Sequence, residues 1–289
     1  MAQLFLEFTL TLQDSDAFDL VALLDRQAFP GFAGYYEVLY REGQSQIDLR
    51  QLVLYFEPDQ SPRERELQVE ILLAAAGIAS YKIESATLSS DEYLEEYKKY
   101  FFSFSVGSRL CVVPAWEDPA PGLLPIRIDP GLAFGTGLHP STRLCLEWLD
   151  AHWQGKRPLI DAGCGSGILP IAALRLGADP VLAFDIESQA VRSTLDNLRL
   201  NDLSGTVERC GLDRIPHYLA DHPAAMLLGN LTLGILRTGS DFMQSAGEIV
   251  LSGFLSEQRS AVLELFPAHE CLLTNVKEGW ALVWLQRMN

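Results

Sequence analysis

A run of twelve residues, Pro158-Leu159-Ile160-Asp161-Ala162-Gly163-Cys164-Gly165-Ser166-Gly167-Ile168-Leu169, restricts this chain more than any other stretch. Leu159 to Asp161 reads as a short buried strand closed by a carboxylate. Glycine then occupies alternate positions of a loop, and an apolar helix follows through Ile171, Leu174 and Leu176 to Gly177. Glycine permits a tight turn and lets a ligand lie against bare backbone. The first N–H groups of a helix have no partner within it and can receive an anionic group. A glycine-rich turn without a ligand has the same pattern, so the loop alone decides little. A second element adds weight: Val181-Leu182-Ala183-Phe184-Asp185 reads as a strand that ends in a carboxylate 18 residues after Gly167. An acid there can accept hydrogen bonds from both hydroxyls of a ribose. Alone, Asp185 would serve equally as a helix N-cap; together the two elements favour a cofactor that carries a nucleoside. The dinucleotide fingerprint is G-x-G-x-x-G, whereas Gly163, Gly165 and Gly167 give G-x-G-x-G, which disfavours NAD.

The surrounding chain fits a parallel sheet. From Thr142 onward, strands are expected at Leu159–Asp161, Val181–Asp185, Thr206–Cys210, Ala225–Gly229, Glu248–Ser252, Cys271–Thr274 and Leu282–Gln286, with helices between most of them. Repeated βα units build a doubly wound sheet. The short turn Lys277-Glu278-Gly279 makes the last two strands an antiparallel hairpin at its edge. The first 90 residues read differently: a strand with Leu4, Leu6, Phe8 and Leu10 on one face, a helix through Phe18, Val21 and Leu24, and strands Gly34–Tyr40 and Gln51–Phe56. A helix opened by Ser61-Pro62 and stopped at Gly77, then a strand Tyr81–Leu88, complete the order βαββαβ of a small ferredoxin-like α+β domain. Residues 289 in number favour two domains: 1–90, a linker helix over 91–107, and 108–289. Arg109–Val113 and Ile126–Ile128 read as strands, and Pro114, Pro119, Pro121 and Pro125 between them exclude regular structure.

Composition narrows the class. A net charge of -16, without a clustered Lys/Arg face, disfavours phosphate backbones and favours basic partners; the same charge also serves plain solubility. The five cysteines include no C-x-x-C pair and the five histidines no H-E-x-x-H, so neither a disulfide framework nor a metal is expected. The N-terminus lacks a basic region followed by an apolar run, and no stretch approaches the ~20 apolar residues that span a bilayer. A cytoplasmic monomer is the expectation.

The glycine spacing, with Asp161 before it, resembles motif I of class I methyltransferases. A longer match lies upstream, where Asp129-Pro130-Gly131-Leu132-Ala133-Phe134-Gly135-Thr136-Gly137-Leu138-His139-Pro140-Ser141-Thr142 resembles the signature of the ribosomal protein L11 methyltransferase family. Read from its residues, this loop can close over a flat nucleoside, with Phe134 as apolar cover and Thr142 as a hydrogen-bonding group; an ordinary loop capped by Ser141 or Thr142 is the alternative. Val106 to Trp116, Ser252-Gly253-Phe254-Leu255 and Glu278-Gly279-Trp280 are similar to the same family. Asn230 stands where the family has its Asn-Ile-Leu motif. The chain departs from it with Gly229 before Asn230 and Leu231-Thr232 after it, and with Tyr93 and Tyr97 where tryptophans are common.

The resemblance implies a Rossmann-like, seven-stranded methyltransferase domain that uses S-adenosylmethionine. It implies cofactor contacts from Thr142, Gly163, Asp185 and Asn230, to which the loop reading adds Phe134 and Gly165. It also implies methylation of lysine ε-amines and an N-terminal α-amine of a basic ribosomal protein held by the N-terminal half. Asn230, at a strand's C-terminal end, is the candidate catalytic residue, since its side chain or backbone can accept a hydrogen bond from the target amine; ending the strand is its plainer role. Another protein's lysine, an RNA, or cofactor binding without turnover are the competing readings.

Overall fold

The computed structural model describes residues 4–13, 20, 32–37, 49–56, 60–89, 98, 101–129 and 137–288. The chain divides into two units, Met1–Phe102 and Ser103–Asn289.

The first unit holds strands β1 (Leu4–Gln13), β2 (Phe32–Glu37), β3 (Leu49–Phe56) and β4 (Lys82–Ser89), in the sheet order β2-β3-β1-β4 with every neighbour antiparallel. Leu6, Phe8, Leu10 and Leu12 alternate into its core while Glu7, Thr9 and Thr11 do not, the two-residue period of a half-buried strand. Helix α1 (Pro62–Ala75) starts where the sequence signals it: Ser61 accepts from the Glu64 N–H, and the Glu64 carboxylate accepts from the Ser61 N–H, a reciprocal cap. It buries Val69, Leu72 and Leu73. The helix expected before β2 falls outside the described residues, apart from helical Leu20.

The second unit is built on seven strands: β8 (Leu159–Ala162), β9 (Val181–Asp185), β10 (Thr206–Arg209), β11 (Met226–Asn230), β12 (Glu248–Leu255), β13 (His269–Lys277) and β14 (Trp280–Arg287). Their order is β10-β9-β8-β11-β12-β14-β13, parallel from β10 to β12, with β14 antiparallel to both of its neighbours. The strands of the parallel run read as continuous apolar segments because helices cover both faces. The helices are α2 (Pro140–His152), α3 (Ile168–Arg175), α4 (Ser188–Leu200), α5 (Ile215–Asp221), α6 (Leu233–Met243) and α7 (Arg259–Glu264). The expected edge hairpin is β13–β14. The fold is α/β with a mostly parallel central sheet.

Two expectations for the segment ahead of this sheet are corrected. Residues 104–106, assigned to the linker helix over 91–107, form strand β5 (Phe104–Val106); residues 91–97, 99 and 100 are outside the described set. Proline does not exclude structure here either. Pro114 closes strand β6 (Leu110–Pro114), and Pro125 lies inside β7 (Leu124–Ile128), in a separate sheet of order β5-β6-β7. The physical reason is register. Leu124, Ile126 and Ile128 face β6, with Leu124 N–H donating to Arg109 O at 2.7 Å and Ile128 O accepting from Ala115 N–H. Pro125 faces the outer edge, where a missing N–H breaks no ladder.

That outer edge is covered by side chains acting as a strand. Arg175 Nε donates to Pro125 O at 2.9 Å. Asn201 accepts from Arg127 N–H and donates to Arg127 O, at 2.9 and 2.7 Å. Asn197 repeats the pair at Asp129, at 2.8 and 3.1 Å. An exposed strand edge is a pairing hazard; here two buried amides one helical turn apart, on α4 and at its C-cap, complete the ladder.

Candidate functional site

The candidate site lies where the strand order reverses, between β8 and β11 at their carboxyl ends, the place where open α/β sheets bind ligands. Its floor is the glycine loop. Gly163, Gly165 and Gly167 have φ of +77°, +53° and +84°, a region that side chains avoid. Space is as restrictive as conformation: a Cβ on Gly163 would lie 2.9 Å from Leu231, and one on Gly167 3.0 Å from Thr194.

The loop's donors are less open than the sequence suggests. Gly163 and Cys164 N–H donate to Phe184 O, Gly167 N–H to Cys164 O, and Ile168 N–H to Ser166 Oγ. Gly165 N–H donates to the Asp185 carboxylate at 3.2 Å. The loop thus offers bare backbone for close approach more than a ring of open N–H groups.

Asp185 ends β9 as expected but does not cap α4; Glu187 is the N-cap, and its N–H donates to Asp185 Oδ1 at 3.0 Å. Each carboxylate oxygen therefore takes one backbone N–H and keeps a further lone pair for a hydroxyl. These two bonds fix the carboxylate beside the glycine loop.

Asp161 lies in β8, where the sequence predicts a strand over Leu159–Asp161. It is fully buried, and among the described residues neither carboxylate oxygen has a hydrogen-bond partner. Burial and the nearby Asp185 charge push its pKa up to about 8. A buried acid without a partner is costly unless something pairs with it, and a ligand ammonium would do so. The thiols around it stay protonated at neutral pH. Burial and the Asp161 charge raise Cys164 to about 12 and Cys145 further still, so neither competes as a nucleophile.

Asn230 ends β11. Its Nδ2 donates to Oγ1 of buried Thr142 on α2 at 3.0 Å, while its Oδ1 has no partner among the described residues. Gly253, at φ +91° in the bulge of β12, leaves space beside that oxygen; a Cβ there would lie 2.8 Å from it. The structure brings together Thr142, Gly163, Gly165, Asp185 and Asn230 around the ends of β8, β9 and β11. Phe134 falls outside the described residues.

The flanking motifs have structural work. His139, not Ser141 or Thr142, caps α2: its Nδ1 accepts from Ser141 N–H at 3.3 Å, and its ring meets Trp280 edge-on at 4.5 Å. Pro140 follows at the first helical position, where no N–H is needed. Asp150 accepts the Ser108 and Arg109 N–H groups, both at 2.9 Å, and a Cβ on Gly107 would collide with it. The Arg109 guanidinium donates to Leu149 O and Asp150 O at the end of α2. Residues far apart in sequence thus hold α2 over the sheet.

These residues fit a nucleoside bearing an amino acid: the glycines exclude side chains from its path, Asp185 suits a diol, and Asp161 has no cation beside it among the described residues. Comparison with known proteins agrees. The family model described as ribosomal protein L11 methyltransferase (PrmA) matches residues 8–288. A ribosomal protein L11 methyltransferase of Hahella chejuensis is 35% identical over 240 residues, 82% of this chain and 81% of that one. One from Alteromonas mediterranea is 37% identical over 205 residues, 70% of each chain. A solved ribosomal protein L11 methylase from Lactobacillus delbrueckii subsp. bulgaricus superposes with a TM-score of 0.58 at 27% identity, covering 65% of this chain and all of that one. With a family match spanning residues 8–288 and relatives 35–37% identical over 70–82% of its length, the chain belongs to the ribosomal protein L11 methyltransferase family.

Proposed function

We propose that this protein transfers methyl groups from S-adenosylmethionine to amines of ribosomal protein L11, at lysine ε-amines, the N-terminal α-amine, or both. The observation that carries the reading is the Asn230 side chain: Thr142 takes its amide N–H, and its Oδ1, at the end of β11, has no partner among the described residues.

When bound, the cofactor supplies a methyl group already activated on a sulfonium. What the protein adds is position, which can account for much of the rate. Gly163 and Gly165 give backbone access, Asp185 holds the ribose, and Asp161 pairs with the amino group. Phe134 and Thr142 complete the cofactor contacts. The target amine must be neutral to attack; lysine has an ordinary pKa of about 10.4 and an α-amine of about 7.7 to 8.0. Asn230 Oδ1 accepts one N–H of that amine and so turns its lone pair toward the methyl group. The second hydrogen bond of Asn230, to Thr142, fixes the plane of the amide and hence the direction of the acceptor.

The first unit supports a ferredoxin-like reading: read from β4, its strand order is 4-1-3-2, fully antiparallel, with α1 between β3 and β4. In this proposal residues 1–90 hold the ribosomal protein, 91–107 link, and 108–289 catalyse. A net charge of -16 suits a basic substrate, and a ribosomal substrate places the reaction in the cytoplasm.

The test is intact-mass analysis of purified ribosomal protein L11 incubated with the enzyme and S-adenosylmethionine. Mass increments of one methyl each, mapped to amines, are expected. Label that enters only another protein or RNA would overturn the substrate, and wild-type protein that fails to bind S-adenosylhomocysteine would overturn the enzyme.

A further inference from the structure

Helix α4 has a buried polar face. Thr194, Asn197 and Asn201 are each at most 1% exposed, on a helix whose outer face is polar as well. Buried polar side chains persist only where their hydrogen bonds are met, and here those bonds go to backbone groups, to the loop thiol and, for Asn201, also to the Arg175 guanidinium. Thr194 Oγ1 donates toward Gly165 O at 3.0 Å and lies 3.2 Å from Cys164 Sγ. Asn197 Nδ2 donates to Ser166 O at 2.9 Å and also to Asp129 O, while Oδ1 accepts from Asp129 N–H. Asn201 serves Arg127 and never touches the glycine loop.

We infer that Thr194 and Asn197 are positioning residues for cofactor binding, which hold the Gly165 and Ser166 carbonyls against α4 and so set the shape of the glycine loop. The inference rests on the proposed use of that loop for S-adenosylmethionine. The argument is geometric. A peptide unit is planar and trans, so its C=O and the following N–H point in opposite directions. Fixing Gly165 O and Ser166 O toward α4 turns the next two N–H groups away from it and fixes two consecutive peptide planes. Glycine has the largest choice of backbone conformations, so a loop with glycine at alternate positions does not keep one shape unaided. Gly167 has no side chain because Thr194 occupies the place of its Cβ, 3.0 Å away. Asn197 acts on both sides at once, because the same amide that holds Ser166 also holds the backbone of Asp129.

The test compares full-length Asn197→Ala, Thr194→Val and Asn201→Ala with the wild type. Calorimetry measures the Kd of S-adenosylhomocysteine, and steady-state kinetics separate the KM for S-adenosylmethionine, the KM for the protein substrate and kcat. Asn201→Ala removes the same kind of ladder bond without touching the loop, so it reports the purely structural effect. Expected results are a Kd and a cofactor KM about tenfold higher in Asn197→Ala, the loss of roughly one hydrogen bond. The protein-substrate KM and the kcat at saturating cofactor should hold, and Asn201→Ala should keep its cofactor affinity while melting at lower temperature. Thr194→Val, which replaces one hydroxyl by a methyl, carries the comparison if Asn197→Ala does not fold. Unchanged cofactor affinity in the folded loop variants, or an equal loss in Asn201→Ala, would overturn the inference while leaving the proposed function intact. Wild-type protein that does not bind S-adenosylhomocysteine would overturn both.

Discussion

The amide nitrogen of Asn230 donates to the hydroxyl of Thr142 across 3.0 Å, joining the end of β11 to the first turn of α2. The bond aims Asn230 Oδ1 and makes a distinct prediction for each partner. Asn230→Ala removes the acceptor and should lower kcat by about 100-fold or more, the scale of a lost positioning or charge-directed contact. Thr142→Val removes only the restraint and should lower kcat less, by roughly tenfold. Single-turnover methylation of ribosomal protein L11 measures both. Equal losses would mean that the two residues act as one unit, and no loss would remove Asn230 from the chemistry.

Asp185 is held by two backbone N–H groups, so Asp185→Asn changes its acceptors without removing its bulk. A hydrogen bond to a charged group contributes about 1.5–3 kcal/mol; its loss should weaken S-adenosylhomocysteine binding by about 10- to 100-fold. Calorimetry reads this directly, and adenosine should lose affinity in parallel, because the lost contact is to the ribose. Full affinity for either ligand would place the ribose elsewhere.

Asp161 predicts a pH dependence with a definite sign. Its pKa rises from 3.8 to about 8 on folding, so between these values the native state binds more protons than the unfolded one. Stability therefore falls as pH rises through that window, and the penalty is complete above about pH 8. Asp161→Asn should flatten this part of the profile in urea melts run from ~pH 5 to ~pH 8. A ligand ammonium beside the carboxyl favours its ionised form. S-adenosylhomocysteine binding near neutral pH should then release a proton, seen as a dependence of the calorimetric enthalpy on the buffer. A profile unchanged by Asp161→Asn would show that the carboxyl finds a partner in solution.

Gly229, a departure from the family's Ala-Asn-Ile-Leu-Ala, has a packing reason. A Cβ at 229 would lie 3.1 Å from Leu231 Cδ1, so a leucine at 231 asks for a glycine at 229. Gly229→Ala should destabilise by about 1–3 kcal/mol, the usual range for overpacking. Leu231→Ile should recover part of the loss, because its branching is closer to the backbone. A double-mutant cycle measures the coupling; strict additivity would separate the two departures.

The sequence made the strand–glycine–helix unit, the carboxylate after β9 and the final hairpin legible, because each rests on local pattern. What it hid depends on tertiary placement. Pro125 looked like a breaker because register, which puts its missing N–H on the outer edge, is not a local property. His139 could not be distinguished as the cap of α2 from Ser141 and Thr142, all three being polar neighbours of Pro140. The engagement of the loop N–H groups with Phe184 and Asp185 was invisible, since the partners come from another strand. Thr194, Asn197 and Asn201 did leave a trace. They share the helix face of Ala190, and polar residues on a buried face at helical spacing are an anomaly a sequence can show. Asp161 was visible as the carboxyl that closes a buried strand but not as an acid without a partner among the described residues, because pairing depends on neighbouring elements.

The covering of β7 by Asn197 and Asn201 sets where a catalytic fragment must begin. Cut after Asp129, ahead of α2, the protein would lose the Arg127 and Asp129 peptide groups that Asn201 and Asn197 serve, and both amides would be left with unmet hydrogen bonds. A catalytic fragment therefore has to start ahead of β7. What resembles a leader to the seven-stranded sheet is the outer wall of its glycine loop.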